Sequence, residues 1–136
     1  MGAGTDLWNE YQALCNQRDW TAAASLFVTD GVYITPSGRT EGPEAIKAFL
    51  AAWGKASSDS REETSMLIEN GDDVVAVWTS QATVSGTLPR ADGTRITVTD
   101  KTLKNSGVSV CTTRDGKFAS MREYLDTADI ARQLGL

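Results

Sequence analysis

Histidine is absent from all 136 residues. That removes the usual general base, the usual partner of a serine or cysteine nucleophile, and the commonest metal ligand. Any acid–base chemistry falls to carboxylate, tyrosine or lysine. Cysteine is scarce: Cys15 and Cys111 sit on segments that read as a helix and a strand. They are too few and too separated for a disulfide framework or a zinc knuckle, and fit reduced core thiols. Positive charge is thin as well. The 13 Lys and Arg are scattered against 18 Asp and Glu, for a net charge of −5. With no basic stripe to release counterions from a phosphate backbone, nucleic acid is not an expected partner. There is no long apolar run, signal-like N-terminus or low-complexity tract, so the expectation is a cytoplasmic protein, neither membrane-bound nor exported. No glycine-rich loop follows a strand to cradle phosphate, and Gly2-Ala3-Gly4 reads only as a mobile terminus. Neither a metal nor an organic cofactor is expected.

What remains is the composition of an ordinary globule, 40% hydrophobic and 23% charged, of a length that forms one domain with a real core. Leu7, Tyr11, Leu14 and Cys15 recur at helical spacing and predict a helix over 5–17. Asp19 caps a second helix, with Trp20, Ala23, Leu26 and Phe27 on a common face, ending at the Thr29-Asp30-Gly31 turn signal. Residues 32–35 read as a short strand. After the Pro36-Ser37-Gly38 turn, Gly42 and Pro43 open a third helix, whose buried face is Ile46, Phe49, Leu50 and Trp53.

The rest is rich in β-branched residues. Asn70-Gly71-Asp72-Asp73, Ala91-Asp92-Gly93 and Arg114-Asp115-Gly116 are hairpin turn sequences, giving strands near 63–69, 74–87, 95–103, 108–113 and 118–125. Residues 100–107 read either as one bent strand with a bulge or as a turn. The pattern predicts an α+β fold in which a curved antiparallel sheet buries one face under three N-terminal helices, followed by a short C-terminal helix.

Several stretches carry a family resemblance: Tyr11 through Asp19-Trp20, Leu26-Phe27, Gly38-Arg39-Thr40-Glu41-Gly42-Pro43-Glu44-Ala45-Ile46, Gly107-Val108-Ser109-Val110, Arg114-Asp115-Gly116-Lys117 and Met121-Arg122-Glu123-Tyr124-Leu125-Asp126. Over nearly its whole length the chain resembles the SnoaL-like polyketide cyclases. These belong to the nuclear-transport-factor-2-like cones, with ketosteroid isomerase, limonene epoxide hydrolase and scytalone dehydratase. The resemblance implies a cone around one apolar pocket and cofactor-free chemistry: aldol-type ring closure, enolisation, dehydration or epoxide opening. Fold alone does not choose among these.

Residue by residue, Tyr11 resembles the oxyanion tyrosine of ketosteroid isomerase, but the positions of its two aspartates fall on Thr35 and near Ser109, which disfavours a steroid isomerase of that kind. The Arg-x-Asp pair of limonene epoxide hydrolase falls on Trp78-Thr79-Ser80 and is missing. Glu123 matches the final-strand carboxylate of the cyclases and the epoxide hydrolase.

Strand alternation puts Met121, Glu123 and Leu125 on one face, so Glu123 either enters an apolar pocket or faces solvent beside an arginine. Asp126 precedes Thr127-Ala128-Asp129-Ile130 and reads as a helix cap. Tyr11 either bonds a substrate oxygen or is core. Trp8, Tyr33, Phe49, Trp53, Trp78, Ser109, Cys111 and Met121 are candidate pocket walls or core. Asp100, Lys101 and Lys104 read as a solvated rim.

The leading expectation is a cofactor-independent cyclase or isomerase for a hydrophobic polyketide- or terpenoid-like molecule, with Glu123 moving a proton and Tyr11 facing the oxyanion. A cofactor-free hydroxylase or epoxide-opening enzyme, and a non-catalytic binding or dimerisation domain, are the alternatives. A homodimer is expected from Val74, Val108 and Val110, read as outward-facing.

Overall fold

The structure, a computed structural model, describes residues 2–90 and 92–136. Helices α1 (Ala3–Asn16), α2 (Trp20–Ala24) and α3 (Pro43–Ala56) cover one face of a six-stranded sheet, and α4 (Thr127–Leu134) closes the chain. The strands are β1 (Phe27–Thr35), β2 (Gly38–Glu41), β3 (Arg61–Asn70), β4 (Asp73–Pro89), β5 (Arg95–Arg114) and β6 (Lys117–Leu125), in the order β2-β1-β6-β5-β4-β3.

The sheet is mixed, which corrects the antiparallel expectation. β1 runs parallel to β6, with Tyr33 opposite Met121, while every other pair is antiparallel. The cause is topological: β1 leaves the sheet through β2 and α3, and the later strands return to its free edge from the far side. Such a parallel contact needs a long crossover that local turn signals do not encode.

The second helix is also shorter than its apolar spacing suggests. α2 ends at Ala24, and Phe27 begins β1, its ring against Phe118 at 5.3 Å. The β-branched Val28, Thr29, Val32 and Ile34 favour extended backbone. β2, formed by Gly38–Glu41, pairs with β1 and extends the Pro36-Ser37-Gly38 turn into a hairpin.

Residues 100–107 belong to one bent strand. Val84 pairs with Lys101 and Gly86 with Val98, so Thr99 and Asp100 face Ser85 alone. Asp100 has φ 49° and its N–H bonds the Ser85 hydroxyl at 2.9 Å. This bulge flips the inward parity of β5 from Val98 to Leu103, Gly107, Ser109 and Cys111, all buried. At the Arg114–Lys117 hairpin Asp115 and Gly116 both have positive φ, as its two-residue turn requires. Ala91 of the Ala91-Asp92-Gly93 turn lies outside the described residues.

The main core joins Leu7, Trp8 and Tyr11 of α1 to Phe27, Ile46, Leu50, Trp78 and Phe118. A second cluster sets Leu134 and Ile130 of α4 against Val84, Val98 and Leu103. Val74, expected outward, is fully buried in the main core, because it shares the inward parity of Ala76 and Trp78. Trp53, expected on the buried face of α3, is 39% exposed; Ile46, Leu50 and Gly54 hold that face instead. At Gly107 a Cβ would meet the Trp78 indole at 2.5 Å, so only glycine allows that ring to lie flat on β5. No helix among the described residues is long and apolar enough to cross a membrane.

Candidate active site

Between the concave sheet face and the helices lies a mainly apolar cavity of about 310 Å³, near the lower end of the range for small-molecule sites. Trp8, Tyr11, Tyr33, Phe49, Trp53 and Trp78 all line it, with Trp53 at its exposed border. Ser109, Cys111 and Met121 do not. Cys111 and Met121 are fully buried and packed into the core. Ser109, also fully buried, lies behind the wall, where it accepts a hydrogen bond from Trp78 Nε1 at 3.0 Å. All three have inward parity, but the rings of Trp78, Tyr11 and Phe118 fill the space over this part of the sheet.

Glu123 enters the cavity from β6. Its carboxyl accepts the Tyr33 hydroxyl at Oε1 and the Ser109 hydroxyl at Oε2, the latter at 3.4 Å. Ser109 sits directly opposite Glu123 on β5, so strand register supplies that donor. The Tyr33 ring is held between Phe27, stacked at 6.1 Å, and Phe49 at 5.5 Å. Glu123 is half-buried on the cavity wall. Loss of hydration disfavours its charged form, and burial pushes its pKa up to about 7.

Tyr11 is 4% exposed, its ring wedged against Trp8 at 5.6 Å and Phe118 at 5.5 Å. Burial holds its pKa well above the usual tyrosine value, followed by the charges of Cys15, Glu123 and Glu62. It stays a neutral O–H donor. The Cys15 thiol, one turn along α1, is pushed up to about 12 by burial, opposed by a hydrogen bond donated by the Tyr11 hydroxyl, and burial likewise pushes Cys111 up to about 12. Both cysteines are free, and neither supplies a thiolate near neutral pH.

A second carboxyl, Glu62 at the start of β3, also lines the cavity and was not among the residues read from sequence. Burial raises its pKa to about 7, opposed by the Gln12 amide, which donates to it at 3.2 Å. Its placement is exact in origin: Asn16 on α1 bonds both the N–H and the C=O of Glu62, each at 2.9 Å. Gln12 is tied through Thr64 to the Trp8 indole, at 3.0 and 2.8 Å. The available signal was alternation: extending the strand back from 63 puts Glu62 on the face of Thr64. Thr35 lies on the cavity wall and carries no acid there. Asp126 caps α4, accepting from Asp129 N at 2.9 Å, and Asp100, Lys101 and Lys104 are exposed. Among the described residues no three His, Cys, Asp or Glu side chains group as a metal site.

Two neutralisable carboxyls and a neutral phenol around an aromatic cavity can exchange protons with a bound organic molecule. The same cone occurs in solved proteins of low sequence identity. TerC, co-crystallised with polyporic acid, is 24% identical with a TM-score of 0.76, covering 99% of this chain and 100% of that one. A protein from Jannaschia sp. CCS1, assigned as a SnoaL-like polyketide cyclase, is 17% identical with a TM-score of 0.84 (97% and 91%). An epoxide hydrolase of Mycobacterium tuberculosis resembling limonene epoxide hydrolase is 14% identical with a TM-score of 0.75 (97% and 89%). No protein of curated function matches in sequence. The sequence model of the SnoaL-like domain matches residues 8–121, from Trp8 on the cavity wall to Met121 two residues before Glu123, and the chain belongs to that family.

Proposed function

We propose that the chain is a cofactor-independent cyclase or isomerase that enolises a hydrophobic, polyketide-like carbonyl compound in this cavity. The observation that supports it is Glu123, an acid balanced near neutrality on the wall of an aromatic pocket. As carboxylate, Glu123 takes a proton from the carbon beside a carbonyl. The C–H electron pair becomes the new C=C bond, and the carbonyl π pair moves to oxygen, which accepts a hydrogen bond from Tyr11. The enolate carbon then attacks a second carbonyl of the same molecule, closing a ring, and Glu123 gives its proton to the new alkoxide; where the enolate is conjugated with a further C=C, Glu123 instead returns the proton to the far carbon of the dienolate and the double bond shifts. Tyr33 orients Glu123 and stabilises its charged form.

The probe is 2-tetralone in D₂O, whose α-proton exchange is followed by NMR. Wild type should accelerate exchange over buffer, and Glu123→Gln should lose about 10²–10⁴-fold of that acceleration while still binding the ketone. Equal exchange by the two proteins would exclude Glu123 as the base.

The outer sheet face carries Met66, Ile68, Val110 and Tyr124, 55%, 53%, 38% and 56% exposed. Together with half-buried Val108 they form an apolar surface that a second copy of the chain would cover, and the working unit proposed is a homodimer.

A further inference from the structure

We infer that the molecule held in this cavity carries an organic cation, an ammonium group, and that Glu62 is the side chain that receives it. This rests on the reading of the cavity as a small-molecule site and narrows the class of ligand.

The cavity is unbalanced in charge. Glu62 and Glu123 enter it from different strands, and the only cationic residue on its described lining is Arg61, which is exposed. Neither carboxyl has a salt-bridge partner among the described residues. A half-buried carboxylate facing an apolar cavity without a counter-ion is poorly solvated, and a ligand that brings a positive charge offsets that cost. The walls suit the same ligand. Trp8, Trp20, Phe49, Trp53 and Trp78 present aromatic rings, whose faces attract cations. One such contact is built into the fold, with the Arg18 guanidinium 5.7 Å from the Trp20 ring centre.

Tyr11 connects this to the proposed chemistry. Its hydroxyl is buried on the cavity wall and feels the charge of both carboxyls. An enolate oxygen at Tyr11 would therefore be repelled by an ionised, unpaired Glu62. An ammonium group on Glu62 cancels that repulsion and leaves Glu123 free as base. Glu62 is equipped for a fixed contact, since Asn16 pins its backbone on both sides and Gln12 holds its carboxyl.

The groups facing Glu62 are few. From α1 come Tyr11 and Cys15, both neutral near pH 7, with uncharged Gln12 and Asn16; from β6 comes Glu123; Arg61 and Glu63 flank it on β3; β4 brings Trp78 and Ser80, which do not titrate. Cation binding should therefore strengthen as pH rises through about 7, where Glu62 ionises.

The test uses two isosteric probes, benzyltrimethylammonium, whose charge does not titrate, and neutral neopentylbenzene, with binding followed by tryptophan fluorescence at pH 6 and pH 8. Wild type should prefer the ammonium at pH 8 by about tenfold or more and lose most of that preference at pH 6. Glu62→Gln should abolish the preference while keeping affinity for the neutral probe. If the variant does not fold, Glu123→Gln decides with the wild-type pH comparison: a preference that it keeps, still lost at pH 6, assigns the cation to Glu62, and a preference that it abolishes overturns that assignment. Equal binding of the two probes at pH 8, or a preference that survives Glu62→Gln, would overturn the inference while leaving the cavity a small-molecule site. Binding of neither probe would overturn both.

Discussion

The hydroxyl of Tyr33 meets the carboxyl of Glu123 across the parallel pair of strands β1 and β6. A tyrosine from the front of the chain thus supports a carboxyl near its end. Removing the donor as Tyr33→Phe takes away a hydrogen bond that favours the charged form. The apparent pKa of Glu123 should rise above about 7, and the pH profile of 2-tetralone exchange should move upward by about one unit. A profile that stays in place or moves downward would remove Tyr33 from the site.

Stability should fall as pH rises from about 5 to 8. Glu62 and Glu123 each have a folded pKa of about 7 against an ordinary 4.5. Between these values the folded state binds more protons than the unfolded one, so the slope of unfolding free energy against pH is negative. Above about 7 both states are ionised and the slope vanishes. The loss is on the order of 3 kcal/mol per carboxyl at most. The carboxyls lowered by hydrogen bonding, Asp59, Asp92 and Asp129, titrate below this window. The check is the melting temperature at pH 5 and pH 8, which should be higher at pH 5 in wild type and less pH-dependent in Glu62→Gln and Glu123→Gln.

Much of this was legible in the chain. Glu123 follows from alternation with Met121 and Leu125, because a regular final strand preserves parity over short distances. Other features depend on remote partners. Phe27 satisfies the helical spacing of Trp20 and Ala23, and only its packing on Phe118 and β6 pairing makes it strand. The bulge at Thr99 and Asp100 decides which face of β5 is inward, and it is set by pairing with β4. Glu62 lies at a strand end, where sequence boundaries are weakest, and its role comes from Asn16 and Gln12 on a distant helix. Ser109 has the right parity, but the space before it is taken by the Trp78 ring.

The outer face predicts association. Sedimentation at micromolar concentration should give a dimer, and Ile68→Glu, placing a charge amid Met66, Val75 and Val77, should shift it to monomer with the cavity intact. A wild-type monomer at that concentration would rule out the dimer.

Trp78→Phe should leave the buried Ser109 hydroxyl without its indole donor. Destabilisation of about 1–3 kcal/mol is expected in chemical denaturation, against little change if that bond is unimportant.

Titration of Glu123 itself tests most directly whether this acid is balanced near neutrality inside the cavity. Carbon-13 labelling of glutamate side chains, with Glu123→Gln used to assign the signal, follows its carboxyl through pH 4 to 9. The expected midpoint lies near 7 and moves when a ketone fills the cavity. A midpoint near 4.5, unmoved by ligand, would mean a hydrated carboxylate and would rule out Glu123 as a proton-transfer group balanced near neutrality.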